Sequence, residues 1–342
     1  GYFNMPKVLE ITLNIGLDPR TGRRIGLETG DPAQFETFEE LFEAYEKQLN
    51  YFLDIKIQGN NVVERLYANY MPAPFLSLLI DDCIAKGKDY HNGGARYDTS
   101  YIQGVGIGTM ADAMTAIKYH VFDKKNLMMK ELMTTLRDDF EGHERTHQML
   151  LNRTPKYGND DDYADEVMVA VFEAYFNAID GRKNTRGGTN RINLLPTTCH
   201  VYFGSVIGTT PDGRKAGKPL SEGVSPVQGA DRCGPTAVIN SVAKMDHVRT
   251  GGTLLNQKFT PQLLETDGGL DRLVHLVRTY FKLDGHHIQF NVVDAVTLRT
   301  AQRSPQEYRD LIVRVAGYSD YFCDLSEALQ EEIIARTEHP SF

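Results

Sequence analysis

The sequence has no tryptophan, only four cysteines and no apolar run near the roughly 20 residues that cross a bilayer. Cys83, Cys199, Cys233 and Cys323 stand far apart without a CxxC pair. That spacing argues against a zinc ribbon or a disulfide framework and fits a reducing cytoplasm. Positive charge is the scarcer sign: 37 Lys and Arg face 46 Asp and Glu, a net −9. Neither nucleic acid nor a membrane is therefore expected as a partner. What is present is ordinary globular composition, 41% hydrophobic and 24% charged over 342 residues. That length suits about two average domains or one large α/β body.

Helical and extended patterns alternate along the chain. Met5 to Leu13 reads as an apolar helix with no helix start of its own, so the N-terminus is expected to cut through a longer protein. Thr37 and Glu40 form a capping box ahead of Phe38, Leu41, Phe42, Tyr45, Leu49, Phe52 and Leu53. Further helices are expected after Gly104-Val105-Gly106-Ile107-Gly108 and after Asp160-Asp161-Asp162, whose charges offset a helix dipole in solvent. The runs 200–203 and 288–293 read as buried strands. Asp324 and Glu327 are expected to cap a last helix, and the C-terminus reads as natural. The alternation points to an α/β sheet or barrel.

Some motifs invite chemistry that their surroundings oppose. His143-Glu144-Arg145-Thr146-His147 matches HExxH, with Glu166 19 residues beyond as a third ligand. Gly142 weakens that helix, and Arg145 brings positive charge to the metal position, so an exposed helix with ordinary histidines is expected and no metal. Residues 104–108 lack the third glycine of a dinucleotide loop, which leaves close packing of a strand end on a helix. His286-His287 reads as a structural strand edge. Ser304-Pro305-Gln306-Glu307 is a helix start, with Tyr308, Leu311, Ile312 and Val315 on one face. Gly317 would then be a helix C-cap.

The longer string changes that reading. Arg314-Val315-Ala316-Gly317-Tyr318-Ser319-Asp320-Tyr321-Phe322, with 325–338 after it, resembles the signature of the glycyl radical enzymes, the pyruvate formate-lyase superfamily. Residues 93–97, 151–161, 211–214 and 234–237 are similar to that family's blocks, in its order. The chemistry suits glycine: it has two Cα hydrogens, and loss of one leaves a planar carbon delocalised between amide nitrogen and carbonyl. The resemblance implies that a radical S-adenosylmethionine activase installs the radical on Gly317, with no bound cofactor. It also implies a cysteine that receives the radical, in a Gly-Cys-Val-Glu loop. No such loop occurs in this sequence, and no cysteine here stands in a matching context. The chain is thus expected to be a C-terminal fragment, inactive alone. Its implied fold is the C-terminal half of a ten-stranded α/β barrel. Residues 1–205 would belong to the pyruvate formate-lyase-like barrel and residues 206–342 to the glycine radical domain.

Within the family, residues 1–10, 28–32 and 251–259 look most like the dehydratase branch that acts on trans-4-hydroxy-L-proline. That likeness implies a radical lyase. A thiyl takes hydrogen from the ring carbon beside nitrogen, water leaves the adjacent carbon, and 1-pyrroline-5-carboxylate forms. Tyr2 would pack near the ring, and Thr197 would hydrogen-bond the polar end of this small-molecule substrate. The resemblance further implies a cytoplasmic homodimer. Other outcomes within the family are a lyase or decarboxylase for glycerol, a diol, an amine or an aryl acid. A non-catalytic spare part carrying the radical glycine is another.

Overall fold

The computed structural model describes residues 1–341. Five parallel strands carry the architecture: β1 (Tyr2–Asn4), β2 (Thr99–Val105), β3 (Thr189–Asn193), β4 (Leu255–Phe259) and β5 (Ile288–Val292). β1 pairs with β2, β2 with β3, and β4 with β5, all in parallel. Leu194 bridges to Thr253 in the same sense, which joins the two sets across the 251–254 segment. Glu338–His339 adds a short parallel pairing to the end of β4. Parallel neighbours need long crossovers, and helices supply them.

One sheet face is apolar and covered. Phe3, Ile102 and Ile192 are buried there, against helices Met5–Leu13, Phe38–Tyr70, Ile107–Ile117 and Asp162–Ile179. All eleven residues of Ile107–Ile117 are buried. Gly104 and Gly108 bring strand end and helix close: a Cβ on the first would press Leu194, Tyr175 and Met5, and on the second the carbonyl of Ser225. The close-packing reading of 104–108 therefore holds. A second core of Val293, Leu298, Val313, Val315, Phe322, Leu329 and Ile333 lies under the C-terminal segment.

The capping box at Thr37 and Glu40 is present in both directions and opens a 33-residue helix. Asp161 caps Asp162–Ile179 by accepting from the Tyr163 amide at 3.0 Å. Asp160 and Asp162 are exposed, as expected of a solvated helix start, and with buried Asp165 they surround the Lys244 ammonium at 3.3, 2.7 and 2.7 Å.

Four local expectations fail. Asn4 does start the first helix, accepting from the Lys7 amide at 3.3 Å. Cys199–Ser205 is a helix rather than a strand, with His200 and Gly204 buried on one face; a Cβ on Gly204 would strike the backbone at 218–219. Ser326, not Asp324, stands before the last helix, Glu327–Ala335, and Asp324 ends a 3-10 turn. Residues 305–315 are not a helix. Pro305–Glu307 makes one 3-10 turn, and Ile312–Arg314 pairs antiparallel with Ser319–Tyr321. Val313 and Val315 are buried, so the period there is two. The helix C-cap reading of Gly317 falls with that helix.

One buried acid makes stability depend on pH. Asp112 is fully enclosed, accepts the Tyr157 amide at 2.8 Å through Oδ1, and leaves Oδ2 unpartnered. Burial pushes its pKa up from 3.8 to about 7. The folded state then holds this proton more tightly than the unfolded state, so its contribution falls as pH rises from about 4 to about 7. Asp112→Asn keeps the acceptor and removes the titration. Its stability should match wild type at pH 4 and exceed it at pH 8, by at most about 4 kcal/mol, as read by denaturant unfolding. Equal offsets at both pH values would contradict the assignment.

Candidate active site

Gly317 occupies the tip of a hairpin. Ile312–Arg314 and Ser319–Tyr321 form its arms, the Val315 amide donates to the Tyr318 carbonyl at 2.9 Å, and Ala316-Gly317 is the two-residue loop. Gly317 adopts φ +82°, which glycine enters at no steric cost. It is exposed, and no atom lies within 4 Å of where a Cβ would stand.

Side chains from β5 hold this hairpin. Asn291 acts as a strand partner: its Oδ1 accepts the Arg314 amide and its Nδ2 donates to the Arg314 carbonyl, both at 2.8 Å. Gln289 Oε1 accepts the Gly317 amide at 3.1 Å and Arg314 Nε at 2.6 Å. Both residues lie within the strand expected at 288–293, yet sequence reasoning assigns them no role. Their one signal is the placing of two primary amides at alternate positions in an otherwise apolar run.

Beneath lies a buried ionic cluster. Arg336 grips Glu332 with Nε at 3.1 Å and Nη2 at 2.8 Å, and donates to the Arg314 carbonyl at 3.3 Å. Burial raises the Glu332 pKa, but Arg336 and His200 outweigh it and hold the carboxyl well below its usual range. Glu222 has the opposite balance. Burial dominates and pushes it up despite the nearby Arg336.

The open sheet face carries the other site residues. Register places Tyr2, Gln103 and Asn193 level on β1, β2 and β3. Leu195-Pro196-Thr197 follows β3, its Leu195 amide reaching Gln103 Oε1 at 3.4 Å. Thr197 Oγ1 lies 3.5 Å from the Tyr2 hydroxyl, across 195 residues of sequence, and 2.6 Å from the Pro196 carbonyl. Thr197 adopts φ +54°, an uncommon conformation for a β-branched residue and a form of strain that gathers at functional sites. The buried Asn193 Oδ1 has no protein partner.

The remaining motifs sit elsewhere. His143 precedes the helix Glu144–Asn152 and meets Asp138 at 3.1 Å. His147 stacks on Phe140 and places Nε2 2.8 Å from the Gly213 carbonyl, so the two histidines do not converge on a metal. His286-His287 precedes β5. The four cysteines are free thiols, and burial pushes those of Cys199 and Cys323 up, away from thiolate.

The chain belongs to the pyruvate formate lyase-like family, whose model matches residues 1–204; a glycine radical model matches residues 220–323. Its relatives are individual lyases. It is 59% identical over 338 residues to the trans-4-hydroxy-L-proline dehydratase of Clostridioides difficile and 36% identical to the (2S)-3-sulfopropanediol dehydratase of Klebsiella oxytoca. Each match takes in 99% of this chain but only 43% and 42% of the relative. The crystal structure of hydroxyproline dehydratase from C. difficile, with trans-4-hydroxy-L-proline bound, matches 99% of this chain and 43% of its own with a TM-score of 0.98. The glycerol-bound glycerol dehydratase of Clostridium butyricum gives 0.96 at 44% identity over the same shares. The α/β fold is thus that of glycyl radical enzymes.

Proposed function

We propose that the full-length protein is a glycyl radical hydro-lyase that dehydrates trans-4-hydroxy-L-proline to 1-pyrroline-5-carboxylate. Gly317 carries the stored radical. The observation that supports this most is the hairpin: it presents Gly317 at its tip and is tied to β5 by side-chain hydrogen bonds, so the glycine is held in one place. A radical S-adenosylmethionine activase is the partner that removes its Cα hydrogen. The thiol and the acid-base glutamate that this reaction requires are not assigned to residues 1–342. We assign residues 1–205 to the barrel and 206–342 to the glycine radical domain, in a cytoplasmic homodimer.

Substrate choice rests on the polar face beside β1. Thr197 Oγ1 and the Tyr2 hydroxyl meet there, two hydroxyl groups that can reach a polar substrate group. Identity to the hydroxyproline enzyme favours that substrate over glycerol. Thr197→Ala and Tyr2→Phe should each lower kcat/KM for trans-4-hydroxy-L-proline by roughly 5- to 150-fold, the worth of one lost substrate hydrogen bond. Radical yield should be unchanged, and Thr197→Ser, which keeps the hydroxyl, should recover most of the loss. Wild-type kinetics in both variants would contradict the pocket and the substrate.

A further inference from the structure

We propose that Gln289 is the positioning residue of Gly317, and that Arg314 on one side and Glu222, acting through Asn256, on the other set which way its amide points. This rests on Gly317 as the radical carrier for its importance, but the relay itself is a property of the resting protein.

The chain of bonds is continuous. Gly317 N–H donates to Gln289 Oε1. Gln289 Nε2 donates to Asn256 Oδ1, and Asn256 Nδ2 donates to Glu222 Oε1. Ser225 braces the far end: its hydroxyl donates to Glu222 Oε1 at 2.8 Å and accepts the Asn256 backbone amide at 3.0 Å. Glu222, Asn256 and Gln289 are 2%, 8% and 5% exposed, so water cannot substitute for a missing partner.

The two ends dictate the polarity. A backbone N–H can only donate, and Glu222 Oε1 already takes two donors. Each primary amide between them offers one accepting oxygen and one donating nitrogen. Only one arrangement pairs every atom: Asn256 nitrogen toward Glu222, its oxygen toward Gln289, and the Gln289 oxygen toward Gly317. Flipping either amide would set oxygen against oxygen or N–H against N–H. Arg314, whose Nε donates to Gln289 Oε1 at 2.6 Å, and Glu222, through Asn256, thus both turn the Gln289 oxygen toward the Gly317 nitrogen. An acceptor there fixes the tip and raises electron density on the amide nitrogen, one of the two groups over which a Cα radical delocalises.

Polarity makes the relay testable apart from packing. Gln289→Glu keeps the acceptor for Gly317 but sets a second oxygen against Asn256 Oδ1. Glu222→Gln alone keeps its accepting oxygen. Combined, the two substitutions allow the whole relay to reverse. The amide nitrogen introduced at position 222 donates to Asn256 Oδ1, and Asn256 Nδ2 donates to the carboxylate introduced at position 289, so the relay is paired again and only the Ser225 hydroxyl must turn to a new acceptor. Amide hydrogen exchange of the 315–318 segment should be read in the full-length, unactivated protein. Exchange should rise about tenfold or more in Gln289→Glu, change less than about threefold in Glu222→Gln, and return to within about threefold of wild type in the double variant. After activation, the hydrogen coupling in the radical spectrum should shift in Gln289→Glu and revert in the double variant. Unchanged exchange in Gln289→Glu, or a double variant no better than that single, would overturn the relay. A radical found on another residue, with exchange behaving as described, would overturn the Gly317 reading and support the relay.

Discussion

Gly317→Ala should abolish the glycyl radical while leaving the fold almost untouched. The structure separates these two effects. Among the described residues, none beyond the glycine's own chain neighbours places an atom within 4 Å of the position a methyl would take. The cost of alanine is the backbone: φ +82° lies in the left-handed region, worth about 1 kcal/mol for a single non-glycine residue. What alanine changes is the Cα itself. A radical there would carry a methyl group and lose the second hydrogen that makes glycine the stable carrier. Anaerobic activation followed by electron paramagnetic resonance should give the doublet of one Cα hydrogen in wild type and no such signal in the variant. Urea unfolding of the two proteins should differ by no more than about 1 kcal/mol. A retained doublet would place the radical elsewhere; collapse of the fold would show the hairpin to be more tightly constrained than its open surroundings indicate.

The largest stability effect is expected at Arg336. Its guanidinium binds Glu332 through two bonds and also faces Glu222. Arg336→Met leaves the enclosed Glu222 and Glu332 carboxyl groups without their guanidinium, and loses the bond to the Arg314 carbonyl at the hairpin base. Breaking a buried pair on one side typically costs about 3–5 kcal/mol, because the remaining charge is stranded. Removing both members costs far less. Arg336→Met should therefore lower stability by about that amount and speed exchange in 312–321, and adding Glu332→Leu should recover at least half of it. Equal losses in the single and double variants would mean that packing, not charge, dominates.

Sequence patterns are most informative here where one local signal governs. The capping box at Thr37 and Glu40 and the apolar stripe behind it describe a real helix, because both act within one chain segment. The 288–293 strand is legible from its β-branched and aromatic residues. Residues 305–315 mislead because Tyr308, Leu311, Ile312 and Val315 satisfy a helical spacing by chance. Their backbone bonds go instead to 319–321 and to Asn291, partners that no local window contains. The short run 200–203 is apolar under either period, and its helix follows from close contact with 218–219. At the site, Gly317 is legible through its surrounding string. Tyr2 and Thr197 come only through resemblance, since nothing local brings together residues 195 apart. Gln289, Asn256 and Glu222 carry no sequence signal as a group: a polar relay exists only once three separate segments have packed.

Oxygen reports directly where the radical resides. It adds to a backbone Cα radical and severs the chain at that residue. The full-length protein, activated anaerobically with its activase until the radical signal is maximal, should be exposed to air and weighed by mass spectrometry. A C-terminal peptide beginning at or next to Tyr318 is predicted, absent from unactivated protein and from Gly317→Ala. An intact chain after loss of the signal, or scission at any other residue, would contradict the assignment of Gly317.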